Sequence, residues 1–329
     1  MAETLPAFLN GPVIEHFPTR AAWLEARRGY GIGSSDVPAI VGVSRFQSAL
    51  ALYHEKLGVT RPSPAYEEHA RWGQILEEPI AQRYAEETKR TVENPNAVIG
   101  QWSIARHPQH PHMIASVDRF VLPNVREGMQ PLPLPGEFGV LEIKNAHLMM
   151  RDEWVGEEAN NEPPVEYQVQ LQHQLAVTGA RWGSIAALIG GVIFVWADVA
   201  RDEALIERLV DMETAFMRRL ELRDPPLADG SESSREVLRQ LYPKDTGTSV
   251  VLPPEAFDWH HAFQDAKDRK RQAKTDEDLA GNRLRQAIGD ATIAFLPDGT
   301  AYTYKLQSRK ETVQPAAEFR VLRLKKGKG

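Results

Sequence analysis

Gly139-Val140-Leu141-Glu142-Ile143-Lys144 is the stretch on which the reading of this chain turns. Its β-branched and aliphatic residues predict a strand, with Leu141 and Ile143 on one face and Glu142 and Lys144 together on the other. An acid followed two positions later by lysine is common, and three further cases occur here: Glu87-Thr88-Lys89, Asp265-Ala266-Lys267 and Asp268-Arg269-Lys270. Those three lie in polar stretches of helical period and read as solvated faces. Taken alone, Glu142 and Lys144 are equally an ordinary strand with one wet face.

The segments around it give the pair a chemical meaning. His112 to Asp118 is also strand-like, and an antiparallel neighbour of this kind would bring Asp118 beside Glu142. Between the two, Pro123 to Pro135 carries four prolines and Gly128 and reads as a long irregular excursion. Upstream, RWGQILEEP places Glu77 on a helix expected from about Arg71 to Thr88, with Leu76, Ile80 and Tyr84 as its apolar stripe and Pro79 in its first turn. Downstream, EYQVQLQHQL carries Gln168 on a helix expected over 165–178, introduced by Pro163-Pro164 and closed by Gly179. Carboxylates are the hard oxygen ligands Mg²⁺ prefers, and a neighbouring lysine can hold the water that such an ion activates. Glu77, Asp118, Glu142, Lys144 and Gln168 therefore point to metal-dependent phosphodiester hydrolysis.

Gly31-Ile32-Gly33-Ser34-Ser35-Asp36-Val37-Pro38 suggests a phosphate subsite: two glycines free the backbone, serine and aspartate suit an N-cap, and proline suits a helix start. Free N–H groups at a helix start attract anions, and Arg28 can add a forked clamp. The alternative is a capped turn and nothing more. The segment is no dinucleotide fingerprint, since it lacks a third glycine and a preceding strand.

Taken in order, RRGYGIGSSDVPAIVGVSRFQSALALYHEKLG, RWGQILEEPIAQRYAEET, ASVDRFV, LEIKN and EYQVQLQHQLAVTG resemble the YqaJ-type viral recombinases, the family of the phage lambda exonuclease within the PD-(D/E)XK nucleases. The resemblance runs from about Trp23 to Trp196. It implies an α/β restriction-endonuclease-like core, a mixed central sheet flanked by helices. It also implies Mg²⁺, with Mn²⁺ able to substitute, held by Asp118, Glu142, Glu77 and Ile143, while Lys144 positions the attacking water and Gln168 orients nucleophile or substrate. Arg28 and Ser35 would grip a terminal 5′ phosphate. Val117 stands where the family commonly has proline, and Arg119 where it often has glycine. The implied activity is 5′-to-3′ digestion of linear double-stranded DNA ends by a ring, usually a trimer. The surviving 3′ strand would pass to a single-strand annealing protein of the RecT, Red-beta or Erf kind. An endonuclease on the same core, restriction or nicking in type, is the alternative, and an inactive DNA- or partner-binding module a third.

Composition agrees with a soluble enzyme. The 329 residues, 42% of them hydrophobic, can bury a sizeable core. With no cysteine, thiolate catalysis, disulfides and Cys-ligated zinc or iron–sulfur centres are excluded. No signal-peptide pattern or spanning apolar run is present, so a cytoplasmic phage or prophage protein is expected, with no membrane partner. The net charge is −6, yet residues 251–329 hold 15 basic against 11 acidic side chains, and a basic DNA channel can coexist with an acidic exterior. A nuclease domain over 1–224, a linker over 225–235 and an extension over 236–329 are expected, the last a long helix over 255–288, a hairpin around Pro297-Asp298-Gly299-Thr300 and a basic tail. His107, His110 and His112 have no standard zinc spacing and read as loop histidines.

Overall fold

The computed structural model describes residues 11–29, 31–61, 64–122, 138–155, 162–308 and 320. The Pro123–Pro135 excursion and all of the basic tail beyond Arg320 lie outside them. The chain divides into two compact units, Met1–Tyr242 and Pro243–Gly329.

In chain order the first unit begins with β1 (Val13–His16), α1 (Arg20–Gly29), β2 (Ile32–Gly33), a 3-10 turn at Ser34–Asp36, α2 (Val37–Ile40), α3 (Ala49–Lys56) and α4 (Pro64–Thr88). It continues through β3 (Thr91–Glu93), α5 (Pro95–Val98), β4 (Ser103–Arg106), β5 (Met113–Ala115), β6 (Arg119–Leu122) and β7 (Gly139–Ala146). Then come α6 (Arg151–Val155), α7 (Val165–Thr178), β8 (Trp182–Ile189), β9 (Ile193–Ala200), α8 (Glu203–Leu222) and α9 (Glu232–Leu241).

The central sheet has the order β3-β6-β7-β8-β9, and only β7 and β8 run parallel. A parallel neighbour requires a crossover, and α6 and α7 provide it. Residues alternate across β7. Val140 packs with Phe120, Leu171 and Leu175 on the α7 side, whereas Leu141 and Ile143 pack with Ile80, Ala81 and Tyr84 of α4 on the other. Covered on both faces, β8 is apolar almost throughout, as buried parallel strands are, and β7 is so apart from Glu142, Lys144 and Asn145. Gly183 lets α7 come down onto the sheet, since a Cβ there would lie 2.8 Å from Leu171 and 2.7 Å from the Val140 carbonyl. α7 stops where Gly179 turns left-handed, with φ 75°. This is the mixed sheet flanked by helices expected of the PD-(D/E)XK class.

Three sequence expectations need correction. The strand-like run His112–Asp118 does not itself pair with β7: its β5 joins a second sheet of order β1-β4-β5-β2, and the strand that pairs with β7 is β6, which begins one residue past Asp118. Helix α4 begins at Pro64, not Arg71, so Pro79 lies in its interior. It leaves the Ile75 carbonyl without an i+4 donor, on a side where Ile75 is itself 52% exposed and water is at hand. The first unit also runs on past the expected linker. α9 is capped by Ser231, buries Ser234 and Val237, and accepts a hydrogen bond at Ser233 Oγ from the Ser48 amide at 3.0 Å, so it packs as part of that unit.

The second unit contains α10 (Ala256–Ile288) and a hairpin of β10 (Ile293–Phe295) and β11 (Ala301–Thr303). These match the long helix and hairpin expected. Among the described residues, no helix is long and apolar enough to cross a membrane.

Candidate active site

Asp118 and Glu142 meet because their strands pair. β6 and β7 are antiparallel with Arg119 opposite Leu141, so continuing the register by one residue sets Asp118 level with Glu142. Asp118 Oδ2 accepts the Ile143 N–H at 2.8 Å, which fixes its carboxyl at the start of β6. Burial pushes that carboxyl well above its usual range, the charges of Glu142 and Glu77 push it the same way, and Lys144 offsets them only in part.

Glu142 is almost fully buried, at 3% exposure, and is held from several sides. Lys144 Nζ lies 2.5 Å from Oε1, Gln170 Nε2 donates to Oε1 at 2.5 Å, and Gln174 Nε2 donates to Oε2 at 2.6 Å. Gln170 Oε1 in turn accepts from Lys144 Nζ at 2.9 Å. One glutamine thus orients both members of the Glu-x-Lys pair. Lys144 also lies 5.0 Å over the ring of Tyr167, which stacks on Trp154 at 5.4 Å.

The glutamine of this site is therefore Gln170, not Gln168. Gln168 Nε2 donates to the Pro163 carbonyl at 2.7 Å and makes no contact with the carboxylates. Residues two apart on a helix project to nearly opposite sides, whereas Gln170 and Gln174, four apart, share one. The motif supplies two neighbouring glutamines, and the phase of α7 against the sheet decides between them. A carrier face containing Leu171 and Leu175 beside Gln170 and Gln174 is the signal in the sequence that distinguishes them.

Glu77 stands at the rim, 30% exposed in its side chain, and is paired with Arg119, whose other nitrogen donates to Glu78 at 2.8 Å. Arg119, standing where the family often has glycine, is thus a buried cation that ties α4 to β6 next to Asp118. Sequence reasoning misses this role. It misses Arg45 too, which joins Glu153 of α6 at 2.5 Å to the buried Glu166 in the first turn of α7 at 2.9 Å, anchoring the helix that carries both glutamines.

Among the described residues, no three His, Asp or Glu side chains gather as a ready-made metal cage. Ile143 can offer only its main-chain carbonyl, its N–H being spent on Asp118. The donor chemistry nevertheless fits a hard divalent cation: Asp118 and Glu142 present carboxylate oxygens, and the raised Asp118 carboxyl marks negative charge that the protein leaves incompletely balanced. Beside Asp118 and Glu77 opens a cavity of about 330 Å³. Trp23, Trp102, Arg27, Gln74 and Asn96 line it, with the two indoles 5.9 Å apart.

The Gly31–Asp36 segment abuts the same site, because Gln174 Nε2 reaches Ser34 Oγ at 3.3 Å as well as Glu142. Ser35 is exposed. Asp36 is not open to a ligand: its Oδ2 accepts the Gly33 N–H at 2.8 Å and pairs with Lys56 Nζ at 2.6 Å. Arg28 belongs to α1, but its side chain lies outside the described residues. The histidines His107, His110 and His112 lie ring against ring at 4.8 and 6.1 Å, tilted and edge-on, and His107 Nδ1 accepts two main-chain N–H groups, a loop arrangement as expected.

Residues 22–181 match the model of the YqaJ-like viral recombinase domain, a stretch that holds every residue of the carboxylate cluster. The chain is 30% identical over 282 residues to the protein YqaJ of Bacillus subtilis (strain 168), covering 84% of this chain and 81% of that one. Among solved structures it is similar to LHK-Exo in complex with dAMP, at 24% identity and a TM-score of 0.45, covering 67% of this chain and 96% of that one. LHK-Exo is an alkaline exonuclease from Laribacter hongkongensis. It is also similar to a phage-related exonuclease from Haemophilus somnus 129PT, at 11% identity and a TM-score of 0.42, covering 58% of this chain and 94% of that one.

Proposed function

Because the chain belongs to the YqaJ-like viral recombinase family, we propose that it is a Mg²⁺-dependent exonuclease that digests the 5′ strand at linear double-stranded DNA ends and leaves 3′ single-stranded tails. The observation that carries this reading is the juxtaposition of Asp118 and Glu142 across β6 and β7 with Lys144 held at Glu142 by Gln170. Asp118 and Glu142 would hold the Mg²⁺, which when bound would supply Lewis acidity toward the scissile phosphate and lower the pKa of a water. The chain's own residues do the rest. Gln170 and Gln174 fix both oxygens of Glu142, Lys144 presents its ammonium to the attacking water, and the Trp23–Trp102 cavity gives an aromatic surface for a nucleotide beside the scissile bond.

Digestion of this kind feeds homologous recombination by annealing, so the partner proposed is a single-strand annealing protein of the RecT, Red-beta or Erf kind, and the working assembly a ring, most simply a trimer. Gln170→Ala should slow digestion strongly and Gln168→Ala hardly at all, measured by loss of duplex under saturating Mg²⁺. Equal slowing of the two would return Gln168 to the site.

The direction of digestion is tested at the Arg28 and Ser35 subsite. A guanidinium matches the fork of oxygens on a terminal phosphate. Arg28→Ala should slow digestion of 5′-phosphorylated duplex and erase most of its advantage over 5′-hydroxyl duplex, with Mg²⁺ dependence unchanged. An end-labelled duplex reports this directly: release of the 3′ label first, or equal slowing on both substrates, would contradict the polarity and the subsite.

A further inference from the structure

Helix α10 spans 33 residues and not one of them is buried. An isolated helix gains little without packing, and a lone two-stranded hairpin adds little support. Its apolar side chains are nevertheless ordered. At 3.6 residues per turn, Trp259, Ala262, Phe263, Ala266, Ala273, Ala280, Gly281, Leu284 and Ile288 fall on one stripe, and Trp259 and Phe263 are 55% and 43% exposed. Two charges interrupt that stripe, Lys270 and Glu277.

We infer that α10 pairs antiparallel with the α10 of a second copy of this chain, about a two-fold axis passing between Ala273 and Lys274. Six of the stripe's nine apolar positions and both charges pair across that point, while Ala262, Ala273 and Ala280 come opposite the stems of Arg285, Lys274 and Lys267. Reversed on itself there, it sets Trp259 against Ile288 of the second copy, Phe263 against Leu284, Ala266 against Gly281 and Lys270 against Glu277. Both interrupting charges are thereby matched with opposite charges, whereas an in-register parallel pairing sets Lys270 and Glu277 each against its own like charge. Charged positions inside an apolar seam fix register and orientation in this way. Large side chains fill the two ends, while the alanines and Gly281 between them let the helices approach closely. Glycine is unfavourable in an exposed helix interior, and close approach to Ala266 gives Gly281 a purpose. Within its own helix Glu277 also meets Lys274 at 3.0 Å, and because Lys274 has Asp278 as a second partner at 3.0 Å, Glu277 can turn to the second copy's Lys270 without leaving Lys274 unpaired. The contact is two-fold and independent of the nuclease reading; on a three-fold ring it would tie rings in pairs.

The absence of cysteine makes a background-free test. Full-length Ala273→Cys, oxidised mildly, should give a disulfide-linked dimer on a non-reducing gel. Ala266→Cys should not, because the two copies of residue 266 stand ~22 Å apart along the axis at 1.5 Å per residue. A mixture of Ala266→Cys and Gly281→Cys chains should give the heterodimer. Adding Lys270→Glu to Ala273→Cys should suppress the cross-link, and adding Lys270→Glu with Glu277→Lys should restore it, which an intrahelical role for these residues, two turns apart, would not do. Circular dichroism checks that each variant keeps its helix. Failure of Ala273→Cys to cross-link, cross-linking of Ala266→Cys as fast as Ala273→Cys, or no rescue by the double reversal would each overturn the pairing, whether or not the protein digests DNA.

Discussion

Asp118→Asn and Glu142→Gln are each expected to lower Mg²⁺-dependent digestion of linear duplex by at least about a hundredfold, because in the proposed mechanism nucleophile activation and leaving-group stabilisation would both depend on metal held by these two carboxylates. The amide forms are chosen for what they preserve. An asparagine carbonyl at position 118 could still accept the Ile143 N–H, and a glutamine carbonyl at position 142 could still accept from Gln170 or Gln174, so the geometry of β6 and β7 has reason to survive. Charge is what each variant loses. Duplex binding by gel shift should be retained, because phosphate attraction comes from basic side chains that these substitutions leave in place. Lys144→Ala should fall comparably through the water and not through metal occupancy, so raising Mg²⁺ should not rescue it. Wild-type digestion in any of these variants, with normal duplex binding, would show that the cluster is not the catalytic centre.

Glu213→Leu is expected to cost about 3–5 kcal/mol of stability, because it strands a buried cation. His173 on α7 and Glu213 on α8 are both wholly inaccessible, and His173 Nδ1 meets Glu213 Oε1 at 2.8 Å while Nε2 meets the Ile114 carbonyl at 3.0 Å. A carboxylate and a carbonyl both accept, so this pairing favours the imidazolium, which donates from both ring nitrogens. Burial alone would lower its pKa, but Glu213 and the Ile114 carbonyl outweigh that and hold it above the ordinary value. A group whose pKa is raised on folding stabilises fully below its unfolded pKa, about 6.5 for histidine, and that contribution fades as pH climbs through the folded value. Urea unfolding of the wild type should therefore weaken from about pH 6 upward by this contribution, and the slope should vanish in His173→Leu/Glu213→Leu. The double variant should regain much of what Glu213→Leu loses, since an apolar pair leaves no orphan charge. A single variant as stable as wild type, or a double as damaged as the single, would contradict the ion pair.

How much of this is legible in the sequence depends on how local the determinant is. Helix α7 is bounded by Pro164 and Gly179, the β8–β9 hairpin by Gly190-Gly191, and α10 by its own period, and each can be read from a few consecutive residues. The two faces of β7 follow from the period of a strand. What fails requires a partner elsewhere in the fold. Whether Gln168 or Gln170 faces Glu142 depends on how α7 is rolled against β7, and both choices satisfy the helix itself. That the strand of His112–Asp118 joins the second sheet, and the strand beside β7 starts only at Arg119, depends on what β5 and β6 each pair with. Arg119 reads as a departure from a turn, and its partners Glu77 and Glu78 lie on a helix some forty residues earlier. α9 reads as part of an extension because the Asp224-Pro225-Pro226 signal is genuine, but the helix buries Ser234 and Val237 and packs on α3.

The most direct measurement of the central claim is to incubate the purified full chain with linear duplex DNA and with the same DNA covalently closed, each with and without Mg²⁺. The account requires digestion of the linear form alone and only with Mg²⁺, proceeding from the 5′ ends and leaving 3′ single strands. Cutting of the closed circle would make this an endonuclease on the same core, and digestion of linear DNA in a chelator would remove the metal from the site formed by Asp118 and Glu142.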